Sequence, residues 1–475
     1  MSMGSEFKYG FFYNAFGKYT NLIIQLLITS ILARFLTPSD FGVVAVVTVF
    51  QSFFIMLADM GIGPAIIQNK ELNEKDINSI FSFSIAISII LGFIFLLLAY
   101  PISLFYEDSV YISVVALLSI NVVFSTMITV PRAQLLKNKQ FKLVNSFMVL
   151  SSLMAGIVGV TLAFMGFSYY SLVISEILRK ILFFILLLMK NNLEFNSKID
   201  WKPLREIYHF SKNQFLFSFV NFFSRNLDNL LIGRFLSPVA LGFYNRAYTL
   251  ALQPNHLLVG VISPVVQPIL SDYQDDLEVI KKTYLKISKF LAIIGMSLSV
   301  FLFFSSMEII TFMFGEQWVN SVRTFQILSI SVWIQMILSS TGAFFQSANR
   351  TDLLLKSGIL STILNVLAIV IGLMMGEIEY VALMLVISFS LNFLQVHYLL
   401  IVIHLKSSLK DFFKIFLKPI FIALLVTIGY WLTLGITISL NFLALFFNIL
   451  IYLGMFILGL LLTQELKEIK KLFKR

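Results

Sequence analysis

Residues 33–42 read ARFLTPSDFG, and residues 233–242 read GRFLSPVALG. Arg34, Phe35, Leu36, Pro38 and Gly42 return as Arg234, Phe235, Leu236, Pro238 and Gly242, each displaced by 200 positions. Both copies sit at the junction of two long apolar runs, with the arginine closing one run and the proline opening the next. The repeat therefore marks the same turn between two spans in two related parts of the chain.

The apolar runs extend along the whole sequence. Of 475 residues, 58% are hydrophobic, 13% are charged and 50 are Phe, and the mean hydropathy is +0.90. A soluble domain carries about 25% charged residues. Runs of about 20 apolar residues, enough to cross roughly 30 Å of hydrocarbon, predict fourteen transmembrane helices: 14–35, 41–66, 77–100, 110–131, 144–166, 168–189, 210–236, 242–270, 284–306, 322–346, 355–375, 378–403, 415–438 and 440–462. The fold class is all-α integral membrane, since a barrel would alternate in segments of about ten residues. The first run continues into further spans without a cleavage-like site and reads as a retained helix.

Orientation follows from the basic residues. Lys70, Lys75, Arg132, Lys137, Lys139, Lys142, Arg350 and the stretches Lys190–Lys212, Lys281–Lys289, Lys406–Lys418 and Lys467–Arg475 fall on one side. By the positive-inside rule both termini are cytoplasmic. The net charge of +10 is accounted for by these loops, so no nucleic acid partner is expected. Cysteine is absent, which excludes disulfides and thiolate metal sites. No phosphate-binding G-x-x-x-x-G-K-[ST] loop and no H-E-x-x-H motif occurs. No catalytic residue, cofactor or metal is expected, and the chain does not read as an enzyme.

Asn21 and Asn221, and Pro64 and Pro264, extend the repeat at the same shift; beyond span eight the shift becomes 209, aligning FYE at 105–107 with FGE at 314–316. Six spans separate the copies, so both face the same side. The expected architecture is two parallel-repeat six-helix bundles around a central cavity, residues 1–205 and 206–403, plus two C-terminal helices and a basic tail over 404–475. Parallel repeats of this kind place a substrate path between halves in secondary transporters.

Span seven, NQFLFSFVNFFSRNLDNLLIGRF at 213–235, sets Gln214, Ser218, Asn221, Arg225 and Asp228 at spacings of four, three, four and three. That spacing defines one helical face. Span one carries Asn14, Lys18, Asn21 and Gln25 at the same positions minus 200. A charge at mid-membrane costs roughly 2.5–3.5 kcal/mol, so both stripes read as lining one wet cavity, although Arg225 and Asp228, three apart, could equally neutralise each other as a helix lock. Span eight adds Arg246 and, seven residues on, Gln253 on the same face, followed by Pro254, which should interrupt the helical hydrogen-bond ladder, and His256. Asn229, Asp59, before a Gly-Pro break, and His256 complete the candidates. Glu176, Arg179 and Lys180 in span six read as a structural pair with snorkelling.

The phrases ILARFLTPSDFGVVAVV (31–47), NLDNLLIGRFLSPVALGFYNRAYTLALQP (226–254) and PRAQLLKNKQF (131–141) resemble the polysaccharide-transporter branch of the multidrug/oligosaccharidyl-lipid/polysaccharide flippase superfamily, which holds the Wzx-type O-antigen, capsule and teichuronic acid flippases. The resemblance spans roughly helices one to twelve. It implies a protein of the bacterial cytoplasmic membrane that moves undecaprenyl-pyrophosphate-linked oligosaccharide from the cytoplasmic to the outer leaflet by alternating access. Other readings within the superfamily are a peptidoglycan-precursor flippase or a cation-coupled multidrug antiporter. Drug antiporters commonly couple through a carboxylate in the first helix, and here the position matching Asp228 is Ile28. On this resemblance Arg225 and Arg246 take the pyrophosphate, because guanidinium forks pair with two oxygens at once. Asn221, Asn229, Gln25, Asn21, Lys18 and Gln253 complete the cavity, and Asp228, Asp59 and His256 are candidates for a coupling H+ or Na+. Membrane lipids, polysaccharide polymerases and glycosyltransferases are the implied partners.

Overall fold

The computed structural model describes residues 3–59, 62–69, 72–195, 200–201, 222, 226–271, 273, 276–348, 350–433, 435–436, 438 and 440–468. Among them there is no strand. The helices are α1 Met3–Phe35, α2 Pro38–Asp59, α3 Ile62–Gln68, α4 Glu74–Leu97, α5 Ala99–Tyr106, α6 Val110–Met127, α7 Thr129–Lys137, α8 Phe141–Phe164 and α9 Tyr169–Leu188. A further helix, α10, covers 226–235. They continue with α11 Pro238–Ser271, α12 Leu277–Phe304, α13 Ser306–Phe314, α14 Ser321–Ser329, α15 Val332–Ser347, α16 Thr351–Met374, α17 Ile378–His397, α18 Leu409–Lys414, α19 Leu417–Thr433 and α20 Asn441–Leu462. A π-helical turn, Tyr398–His404, extends α17.

Ten of the helical stretches are long and apolar enough to cross a membrane, or eleven when α14 and α15, bent by 56°, count as one span. They correspond to expected spans one to five and nine to fourteen. Of the other three, α9 carries Glu176, Arg179 and Lys180 within its 20 residues, most of span seven lies outside the described residues, and α11 runs for 34 residues. Pro254 does not end α11. It withdraws its own N–H while the helix continues around it, as membrane helices tolerate where neighbouring groups re-satisfy the freed carbonyl.

The repeated decapeptide is a helix-starting device in both copies. The Thr37 and Asp40 side chains close a reciprocal cap, with Thr37 N donating to Asp40 Oδ2 at 2.8 Å and Asp40 N to Thr37 Oγ1 at 3.2 Å. This is the capping-box logic, in which each side chain satisfies the other's otherwise unpaired N–H. In the second copy Ala240 N donates to Ser237 Oγ at 3.0 Å. Pro38 and Pro238 then open α2 and α11. The two copies also pack on each other: a Cβ at Gly42 would lie 1.7 Å from Pro238 O, and one at Gly242 would lie 2.0 Å from Pro38 O. Each glycine is the fifth residue of its helix and receives the first-turn carbonyl of the other. The sequence repeat is thus also a reciprocal contact between the starts of α2 and α11.

By its packing the chain divides into two compact units, Met1–Gly242 and Phe243–Arg475. In the first, small residues let α1, α8 and α9 approach closely, a common basis of helix association in lipid: a Cβ would strike Ile28 from Gly156, Asn145 from Gly17 and Ser175 from Gly159. An apolar cluster of Ile66, Leu72, Ile80, Phe81, Val130, Leu135 and Leu187 fastens α3, α4, α7 and α9. Arg234 donates to Glu107 Oε1 at 2.7 Å and lies over the Phe105 ring, while Tyr106 Oη donates to Leu230 O at 3.1 Å.

In the second unit Ile293, Ile422 and Leu460 join α12, α19 and α20. The nearly inaccessible carboxylate of Glu465, just past α20, receives Lys289 at 2.6 Å and Lys418 at 2.7 Å. Helix α18 docks by Phe412, stacked on His397 with centroids 4.4 Å apart, and leaves Phe413 exposed.

Candidate functional site

Span one shows two exposed faces. Ile23, Leu27 and Ile31 are 56%, 58% and 42% exposed and form an apolar strip. Lys18 and Gln25 are also exposed. Leu27 lies nine residues beyond Lys18, and Ile23 two before Gln25; at about 100° per residue these polar groups point away from the apolar strip by about half a turn. Asn21, between them, is committed to packing: its Oδ1 accepts the Ser152 hydroxyl at 2.7 Å, which ties α1 to α8. The side chain of Asp59 lies outside the described residues, although its backbone forms the last residue of α2.

In α10, Asp228 and Asn229 are both buried. Asp228 Oδ1 accepts the Asn229 backbone N–H at 2.8 Å and its side-chain amide at 3.4 Å. Arg225 and Asn221 lie outside the described residues.

In the second unit, α11 carries Arg246, Gln253 and His256. Arg246 lies deep in the protein but keeps accessible surface, and its Nη2 donates to Asn245 Oδ1 at 3.0 Å. Gln253, on the same helical face, donates to Thr249 O at 3.4 Å and has a buried Oε1 with no hydrogen bond. His256 is exposed. Asn255 Nδ2 donates to Ser339 Oγ at 2.8 Å, linking α11 to α15.

Three polar constellations lie apart from these candidates. In α9, Arg179 grips Glu176 with Nε at 3.0 Å and Nη2 at 2.5 Å, with Lys180 beside them; the i,i+3 spacing signalled this pair. Between α16 and α17, Ser388 donates to Asn365 Oδ1 at 2.8 Å, Ser361 to Asn392 Oδ1 at 2.5 Å and Gln395 to Asn392 Oδ1 at 2.6 Å. The Ser357, Ser361, Asn365 and Ser388, Asn392, Gln395 spacings were readable as facing stripes. His397 is fully buried, with Nδ1 2.6 Å from Phe393 O and Nε2 2.6 Å from Tyr284 Oη. Since a carbonyl only accepts, Nδ1 carries the proton and Nε2 accepts from Tyr284. No group of three or more His, Cys, Asp and Glu side chains able to hold a metal occurs among the described residues.

A family model described as "Polysaccharide biosynthesis protein" matches residues 31–323. The chain is 26% identical over 408 residues to the teichuronic acid biosynthesis protein TuaB of Bacillus subtilis, covering 84% of this chain and 83% of that protein. It is 24% identical over 408 residues to the lipopolysaccharide biosynthesis protein WzxC of Escherichia coli, covering 83% and 81%. Among solved structures, the lipid II flippase MurJ in an inward closed conformation superposes with a TM-score of 0.75 at 15% identity, over 95% of this chain and 99% of that one. An inward-facing multidrug resistance MATE transporter superposes at 0.64 and 13% identity, over 81% and 95%. These superpositions show the fold.

Proposed function

The chain belongs to the polysaccharide biosynthesis protein family, and from that premise we propose that it flips undecaprenyl-pyrophosphate-linked oligosaccharide repeat units from the cytoplasmic to the outer leaflet of the bacterial cytoplasmic membrane. In this reading fourteen helices, with both termini cytoplasmic, form halves 1–205 and 206–403 around a central cavity, and residues 404–475 are appended to them. Alternating access of that cavity moves the headgroup while the lipid tail stays in the bilayer.

The observation that carries the reading is the two-faced exposure of α1. A helix that presents Ile23, Leu27 and Ile31 on one side and Lys18 and Gln25 on the other touches lipid with the first and needs water beside the second, because lipid-exposed lysine is costly. Arg246, deep yet partly accessible, supports the same wet interior. Arg225 and Arg246 take the pyrophosphate by paired N–H donors. Asn221, Asn229, Gln25, Asn21, Lys18 and Gln253 meet phosphate and sugar hydroxyls, with Asn21 contributing its amide while its oxygen holds Ser152. Asp228, Asp59 and His256 are the positions proposed for a coupling H+ or Na+. Glycosyltransferases supply the lipid-linked unit and a polymerase consumes it, so this chain performs no covalent chemistry.

The test is export of surface polysaccharide in a strain whose own flippase gene is deleted and replaced by this one. Arg225→Ala should abolish export with the protein inserted at normal level, and Arg225→Lys should recover only part, since a single ammonium lacks the fork. Unchanged export by Arg225→Ala removes Arg225 from the site; full recovery by Lys reduces its role to bulk charge.

A further inference from the structure

We infer that Arg179 and Lys180 of α9 form an anion-binding subsite in which the Glu176 carboxylate is a resident counter-ion, exchanged for phosphate oxygens when a diphosphate headgroup arrives. The identity of the anion rests on the flippase reading; the subsite itself rests on four features of the first unit.

First, two cations face one carboxylate within about one turn of α9, where Glu176, Arg179 and Lys180 follow at spacings of three and one. Arg179 and Glu176 are three residues apart on the same helix, so their ion pair does not itself join two helices.

Second, Lys180 makes no hydrogen bond and no ion pair among the described residues, although Glu176 and Arg179 are both within electrostatic reach and Arg132 of α7 adds further positive potential. The cluster is therefore short of negative charge.

Third, the charged edge is accessible. The side chains of Glu176 and Arg179 are 38% and 26% exposed. The exposed apolar residue of α9, Ile185, is nine residues beyond Glu176, half a turn round the helix axis. The exposed apolar surface and the charges therefore occupy opposite sides of α9.

Fourth, the donors already have the shape an anion needs. Arg179 presents Nε and Nη2 side by side to the two carboxylate oxygens at 3.0 and 2.5 Å, the same fork that grips two oxygens of a phosphate. Asn121 of α6 directs its side-chain amide at the carboxylate, and Ser125 holds its oxygen at 3.1 Å, so the amide N–H groups face the anion position. A phosphate that replaces the carboxylate at Arg179 keeps the Asn121 amide and gains Lys180 as an additional donor, while Glu176 turns outward.

The test is the shift in thermal unfolding of the purified full-length protein in detergent on adding inorganic pyrophosphate, with sodium sulfate at matched ionic strength as reference. Removing the resident competitor with Glu176→Gln should lower the pyrophosphate concentration needed for half-maximal shift by about tenfold, equivalent to about 1.4 kcal/mol. Arg179→Gln combined with Lys180→Gln should lose most of the shift, and Arg179→Lys should restore only part. Glu176→Gln that binds pyrophosphate no better than wild type, or a double variant that keeps the full shift, overturns the subsite. The two failures separate in the export assay: a double variant with wild-type export removes the subsite and leaves the flippase reading standing, whereas absent export by the wild-type protein removes that reading.

Discussion

Replacing Gly42 by Ala tests the reciprocal contact between the two repeats. The added Cβ would lie 1.7 Å from Pro238 O and 2.5 Å from its carbonyl carbon. Real Cβ contacts essentially never fall under 3.0 Å, so the helix starts must part by about 1.3 Å, and the atom in the way is backbone that cannot rotate aside. Overpacking of this kind costs about 1–3 kcal/mol, against a gain of up to about 1 kcal/mol from alanine's better helix propensity. Separation also loosens the mirror contact, in which Gly242 lies against Pro38 O. Gly42→Ala and Gly242→Ala together should therefore cost less than the sum of the two, because one methyl already opens the shared interface. The assay is the thermal midpoint of monodisperse protein in detergent, with Gly454→Ala as control, since a Cβ there meets nothing within 4 Å. The expected outcome is a drop of a few degrees for Gly42→Ala and an unchanged or higher midpoint for the control. Equal midpoints for the two variants, or fully additive costs in the double variant, would refute the reasoning.

Further predictions follow from the second unit. Tyr284→Phe deprives the buried His397 Nε2 of its donor, at about 1–3 kcal/mol; removing both polar groups with Tyr284→Phe and His397→Phe should cost less than the two single changes added, and strict additivity in thermal unfolding would contradict the pairing. Burial would raise the Glu465 carboxyl, but hydrogen bonds from Lys289 and Lys418 outweigh it and hold the group below its ordinary range. Its contribution is therefore present above the free carboxyl value of about 4.3 and is lost as pH falls further. Glu465→Gln should lower the unfolding midpoint at pH 7 and narrow its gap from wild type at pH 3.5; a gap that stays constant would refute the linkage.

Much of the architecture was legible because membrane helices announce themselves by length and hydropathy. Pro38 and Pro238 mark the turn between two spans, although each proves to be the first residue of its helix, and the i,i+3 spacing of Glu176 and Arg179 signals their pairing. Equivalence by repeat did not say that Gly42 and Gly242 would meet, since a shift of 200 positions fixes correspondence and not contact. Pro254 signals an interruption of the hydrogen-bond ladder, and α11 carries that interruption inside one continuous helix, because a proline removes one N–H without forcing a helix to stop. Asn21 looked like a free cavity amide, and its commitment to Ser152 depends on how α1 crosses α8. The Tyr284–His397 bond joins residues 113 apart with no periodic signal, so only the packed structure reveals it.

In the proposed function a lipid-bound diphosphate headgroup passes between leaflets. The direct measurement loads undecaprenyl-diphosphate oligosaccharide, with a labelled terminal sugar, into one leaflet of liposomes containing the purified chain, and follows its exposure to an impermeant glycosidase outside. Exposure should rise with time in protein-bearing vesicles and fall to the empty-liposome rate with Arg225→Ala. Exposure at the empty-liposome rate with the wild-type protein would contradict the proposed function.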